Sequence, residues 1–117
     1  MSESNNIKSK LIRKKAGDFT SRIDSFTDEL PDILIYDFKA RLRYSANLFP
    51  EALNNSCESR ARKEKLVNMI KARAVLDECR DYISLIKTLK FHDTDEISDL
   101  IDEMYIILKK DQSEIIG

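Results

Sequence analysis

Residues 60–90 read RARKEKLVNMIKARAVLDECRDYISLIKTLK. Within this stretch Leu66, Met69, Ala72, Leu76, Cys79, Ile83 and Ile86 recur every three or four positions. That is the repeat of an apolar seam on an α-helix packed against other helices. Neither Gly nor Pro interrupts it, which predicts one long helix from about Arg60 to Lys90, with Ile70, Leu85 and Leu89 widening the seam. A helix of this length with one apolar face needs partners, and the rest of the chain supplies them.

Upstream, the polar stretch Asn54–Ser59 reads as a loop rich in capping residues. Before it, Ile35, Phe38, Leu42, Ser45, Phe49 and Ala52 follow a 3-4-3-4-3 spacing, a second helix. Pro31 suits its opening turn, and Asp32 places negative charge where the helix dipole favours it. Pro50 cannot donate a backbone hydrogen bond, which predicts a kink near Ala46 or a new helix start. Further upstream, Ile12, Ala16, Phe19, Ile23, Phe26 and Leu30 are spaced 4-3-4-3-4, a first helix from about Ser9 to Glu29. Gly17 inside it costs about 1 kcal/mol relative to Ala and is either tolerated or a point of close packing. Downstream, Phe91–Thr94 form a turn, with Asp93 and Glu96 at capping-box spacing and Thr94 an equal candidate for the cap. A fourth helix from about Asp95 to Lys110 buries Ile97, Leu100, Ile101, Met104, Ile107 and Leu108.

Short connections between long helices favour antiparallel neighbours. The expected fold is therefore all-α, an antiparallel up-down-up-down four-helix bundle over residues 9–112, with its second helix kinked near Pro50. Residues 1–8 are expected as a disordered tail and 113–117 as a short C-terminal tail. Because the seams run no longer than four or five heptads, a long dimeric coiled coil is the weaker alternative. The 117 residues suffice for one modest core, and two Gly and two Pro leave few helix breakers. No segment alternates as a strand. Cys57 and Cys79 lack CxxC spacing, and Cys79 fits an apolar face as a core thiol. With no secretion signal or spanning segment, a cytoplasmic location is the default expectation and a membrane partner is not.

The sequence offers little for catalysis. The single histidine, His92, stands beside Asp93 and Asp95 without the Glu-x-x-His pairs of metal-binding bundles, so no metal or cofactor is expected. It also has no nucleophile and orienting group around it, and no Gly-rich phosphate loop is present. Paired carboxylates such as Asp77–Glu78 and Asp102–Glu103 read as solvated helix faces. Neither an enzyme nor a small-molecule site is expected.

Charge is more informative. The net charge is −1, yet Lys8, Lys10, Arg13, Lys14, Lys15 and Arg22 crowd residues 8–22 against one Asp18. Arg60, Arg62, Lys63 and Lys65 open the third helix, with Lys71, Arg73 and Arg80 along it, while Lys39, Arg41 and Arg43 lie on the second. The fourth helix is acidic. Cations spread along packed helices can neutralise phosphates without reading bases. They can equally be solvated residues in partial salt bridges with Glu64, Asp77 and Glu78. Tyr44 is the one obvious aromatic candidate for stacking on a base.

Lys63-Glu64 followed by Lys71-Ala72-Arg73-Ala74-Val75-Leu76-Asp77-Glu78 resembles the "KEF…IARGSLAEL" segment of bacterial four-helix-bundle proteins encoded within 23S rRNA intervening sequences. The stretch Arg41-Leu42-Arg43-Tyr44-Ser45-Ala46, with Phe49-Pro50-Glu51-Ala52, is similar to that family's "QIRRAAVSIPSNIAEG" helix. Leu76–Phe91 is similar to "LEKLRILLRLAKDLKLL" of a sister group that contains the accessory variability proteins of diversity-generating retroelements. The resemblance covers roughly residues 30–110, lacks the family's "VW" in the first helix, and has Asn54-Asn55 near the glycine that closes "IAEG". The sequence pI of about 5.9 is also low for the retroelement branch. The resemblance implies a homopentamer of four-helix bundles, in one branch a non-catalytic partner of a reverse transcriptase and its RNA. Arg41, Arg43, Lys71 and Arg73 are the basic positions it carries over; Arg60, Arg62, Lys63 and Lys65 are added from charge alone. The competing expectation is a protein-binding scaffold whose basic strip pairs with the acidic fourth helix of a neighbouring subunit.

Overall fold

The structure, a computed structural model, describes residues 3–30, 38–90 and 92–116, and side chains within 10–30, 39–90 and 92–110. The described residues form four helices: α1 (Glu3–Asp28), α2 (Phe38–Glu58), α3 (Arg62–Leu89) and α4 (Asp95–Ile116). No strand occurs among the described residues. The fold is an all-α four-helix bundle. The expectations for Pro31, Asp32, Ile35, Phe91 and the Phe38 side chain lie outside the described residues.

Each helix touches two others, with α2 and α4 both flanking α1 and both flanking α3. Cross-helix pairs give the relative directions. Lys15 meets Glu103 and Arg22 meets Glu96, so contacts ascend α1 while descending α4. Along α1 and α2, Thr20 meets the Ala46 carbonyl and Arg43 meets Thr27 and Asp28, again in opposite order. The start of α1, the α2–α3 turn and the end of α4 thus share one end of the bundle.

The expected first seam is buried throughout: Ile12, Ala16, Phe19, Ile23, Phe26 and Leu30 all lie in the core. Gly17 instead faces solvent, and a Cβ placed on it would meet nothing within 4 Å, so close packing does not explain it. The inner seam of α3 is buried from Met69 to Ile86, while Leu66 is half-buried. Ile70, Leu85 and Leu89, expected to widen that seam, are exposed. Their positions lie beyond the arc that α2 and α4 cover. On α4, Ile97, Ile101, Met104 and Leu108 are buried, with Leu100 and Ile107 packed partly against the core.

Three boundaries differ from the sequence reading. α1 begins at Glu3 and α4 continues to Ile116. α2 runs through Asn54–Glu58, leaving a turn only at residues 59–61. Asn and Ser are weak helix formers, but Leu53 and Ser56 continue the buried register of Leu42, Ser45, Ala46 and Phe49. Burial of that face outweighs the local preference. Ser56 donates to the Lys65 carbonyl at 3.3 Å and Asn68 to the Ser59 hydroxyl at 3.0 Å, fixing α2 against α3.

Pro50 lies within α2, which does not restart there. A proline cannot donate to the carbonyl four residues back, so Ala46 loses its intrahelical donor. The Thr20 hydroxyl of α1 stands 3.2 Å from that carbonyl and donates to it, shared with the Ala16 carbonyl at 3.1 Å. A side chain from the adjacent helix thus supplies what the proline withholds. Phe19 and Phe49 pack edge to face nearby, with centroids 5.6 Å apart.

At the other end, Lys90 closes α3 in the left-handed conformation (φ 57°), its N–H bonded to the Ile86 and Lys87 carbonyls. Thr94 is the cap of α4 through its backbone, its carbonyl accepting from Ser98 N–H at 2.8 Å. Asp93 assists by accepting from Asp95 N–H at 3.0 Å. His92 tethers this turn to α1: Nε2 is 2.8 Å from Glu29 Oε2, and the ring packs edge to face on Phe26.

Candidate nucleic-acid interface

The eight basic residues singled out from the sequence divide into two groups. Arg60 stands in the turn before α3, and Arg62, Lys63, Lys65, Lys71 and Arg73 occupy the first half of α3. Arg60, Arg62, Lys63, Lys71 and Arg73 are exposed and Lys65 is half-buried. Glu64 is the one acidic residue among them. Arg41 and Arg43 lie on the first turns of α2. The seventeen steps from Arg41 to Glu58, the last residue of α2, span about 26 Å at 1.5 Å per residue. Arg60 and Arg62 therefore stand at the opposite end from Arg41 and Arg43, with Lys71 and Arg73 between them along α3.

Arg43 is further committed to the fold. Its Nε donates to the Thr27 hydroxyl and its Nη2 to Asp28, both on α1. Thr27 is fully buried and donates in turn to the Asp24 carbonyl at 2.9 Å, so Arg43 satisfies a buried acceptor. Arg80 lies 5.3 Å over the Tyr105 ring and 3.6 Å from Asp77, bridging α3 to α4. Tyr105 also donates to Asp77, and desolvation, then that hydrogen bond, raises its hydroxyl pKa. Arg43 and Arg80 therefore hold helices together. Tyr44, the candidate for base stacking, is 68% exposed but sits on α2 at the far end from Arg60.

The group around Arg60 gains neighbours. Because the start of α1 and the end of α4 share the end of the α2–α3 turn, exposed Lys10, Arg13 and Lys14 and exposed Lys109 and Lys110 join it. Lys15 is engaged with Glu103 at 2.7 Å. The opposing carboxylates at this end include Glu58 and Glu64. At the other end collect Asp24, Asp28, Glu29, Asp93, Asp95, Glu96 and Asp99, partly countered by Arg22, Lys39, Arg41, Arg43, Lys87 and Lys90. Charge that is segregated along the sequence becomes segregated along the bundle axis. The basic run at the chain's start was visible in the sequence; assigning it to this site requires the helix directions.

Among the described residues no three His, Cys, Asp or Glu side chains group to hold a metal ion. No described helix is long and apolar enough to cross a membrane. Comparison with protein-family models, curated proteins and solved structures returns no match for this chain.

Proposed function

We propose that this chain is a non-catalytic nucleic-acid-binding accessory protein that acts as a homo-oligomer. The observation that carries the reading is the convergence of exposed cations from α1, α3 and α4 on one end of the bundle. Such a surface attracts a phosphate backbone through charge. RNA is the favoured ligand because the resemblance to retroelement accessory proteins supplies a partner, a reverse transcriptase with its RNA. The same resemblance implies a pentamer.

The test is binding of a structured RNA hairpin, followed by fluorescence anisotropy between about 50 and 200 mM salt. Affinity should fall steeply with salt. Joint reversal of Lys14, Arg60 and Arg62 to Glu should abolish binding, whereas Arg41→Glu should leave it nearly unchanged. Salt-insensitive binding, or none at low salt, overturns the proposal.

A second reading, a protein-binding scaffold of the intervening-sequence type, is supported by the exposed apolar side chains of α3, Val67 and Ile70. These offer nothing to a phosphate. A bundle that ignores RNA but assembles with protein would favour it.

A further inference from the structure

α3 carries two seams. The inner one, Met69 to Ile86, is buried in its own bundle. On the opposite side Lys63, Val67, Ile70 and Ala74 repeat at 4-3-4 spacing and are all exposed, Ile70 by 67% and Val67 by 44%. Val67, Ile70 and Ala74 thus form a short exposed apolar patch on a face that the bundle's own helices leave uncovered. Lys71 and Arg73 flank the stripe.

α4 bears a stripe of the same span and opposite charge. Asp95, Asp99, Asp102 and Ile106 also repeat at 4-3-4 spacing, all exposed, with Ile106 at 57%. Each stripe is about 16 Å long at 1.5 Å per residue. Within one molecule α3 and α4 meet through Asp77, Arg80 and Tyr105, which leaves both stripes uncovered.

We infer that the outer stripe of α3, Lys63-Val67-Ile70-Ala74, docks on the Asp95-Asp99-Asp102-Ile106 stripe of α4 in a second copy of this chain. Charge is the main attraction: Lys63, Lys71 and Arg73 would face the three aspartates, with Ile106 at the end of its stripe covered by the apolar side chains of α3, a pairing that also rejects the like-charged face. The two patches differ, so each copy presents one of each and the contact repeats head to tail, as a ring where its rotation closes. This inference rests on the homo-oligomer part of the proposed function; it draws Lys63, Lys71 and Arg73 of the basic group into the contact and leaves Lys14, Arg60 and Arg62, the residues of the RNA test, outside both stripes.

The experiment is native mass by light scattering, with circular dichroism confirming that each variant stays helical. The wild type should be multimeric. Ile70→Asp, at a solvent-facing position, should be monomeric and fully folded. Lys63→Glu/Lys71→Glu and Asp99→Lys/Asp102→Lys should each dissociate the assembly, and the four substitutions together should restore it. A wild type that is monomeric overturns both this contact and the homo-oligomer reading. A multimer that survives Ile70→Asp overturns the contact alone, and failure of the fourfold variant to reassemble removes α4 as its occupant. Multimerisation only when the RNA hairpin is added also overturns it, assigning the stripe to nucleic acid.

Discussion

Thr20 and Pro50 are coupled through one carbonyl. Pro50 removes the donor that Ala46 would have within α2, and the Thr20 hydroxyl reaches that oxygen at 3.2 Å. Thr20→Val should therefore cost about 1 kcal/mol, the worth of a partly buried hydrogen bond with its acceptor left unpaired. In a Pro50→Ala background the new N–H takes over the Ala46 oxygen, and the same substitution should cost markedly less. Urea unfolding of the four proteins measures this; additivity within about 0.5 kcal/mol would refute the coupling. Cys79 makes a second prediction at this scale. Burial, with a smaller contribution from Glu78, pushes its thiol from 9.0 to about 12. Folding thus favours the protonated thiol, so this part of the stability is intact below pH 9 and is lost as pH rises from 9 towards 12. Tyr105, shifted the same way, acts in the same direction. The thermal midpoint should fall over that window less steeply in Cys79→Ala than in the wild type; superimposable slopes would exclude the thiol as a cause.

The start of α3 has no side-chain cap. Ala61 holds the extended backbone of a cap, but no side chain there accepts from the first turn. Its carbonyl takes only the first intrahelical bond, from Lys65 N–H at 3.0 Å. Ala61→Ser should stabilise the protein by roughly 0.5–2 kcal/mol, since the hydroxyl can accept an orphaned N–H. The shift of the urea midpoint at unchanged slope checks it; no gain would mean that the turn at residues 59–61 is held elsewhere. α2 shows the converse, an end that local preference would place earlier. The polar run from Asn54 to Glu58 reads as a loop by composition, yet Leu53 and Ser56 have buried places waiting against α3. Ser59 then donates to the Asn55 carbonyl at 2.6 Å and closes the last turn.

On the scale of the whole molecule, a net charge of −1 conceals a bundle basic at one end and acidic at the other. Ionic strength is the natural probe of such an arrangement, since exposed charges more than about 10 Å apart are screened at 0.1 M salt. The different responses expected of Arg60 and Arg41 belong to this scale: the two residues have the same chemistry and opposite ends. Removing each phosphate contact at the basic end should reduce the slope of log affinity against log salt by about 0.7–0.9. Arg43→Ala should instead register in stability, because it leaves buried Thr27 without its cation and Asp28 without its pair.

The sequence by itself determined the four helices and the register of the core. Ile12 through Leu30 on α1 and Met69 through Ile86 on α3 lie buried as their spacing demands, because periodicity specifies a face relative to a helix's own axis. It could not specify how wide an arc the neighbours cover. Ile70, Leu85 and Leu89 are apolar and adjoin the seam by number, yet the positions of α2 and α4 leave them exposed. Nor could charge in sequence order reveal charge in space. Arg43 pairs with Asp28 and Arg80 with Tyr105 only because consecutive helices fold back side by side. The tertiary structure alone separated Arg41 from Arg60 and brought Lys14 to the latter's end, since the direction of each helix determines which ends of the chain's elements meet.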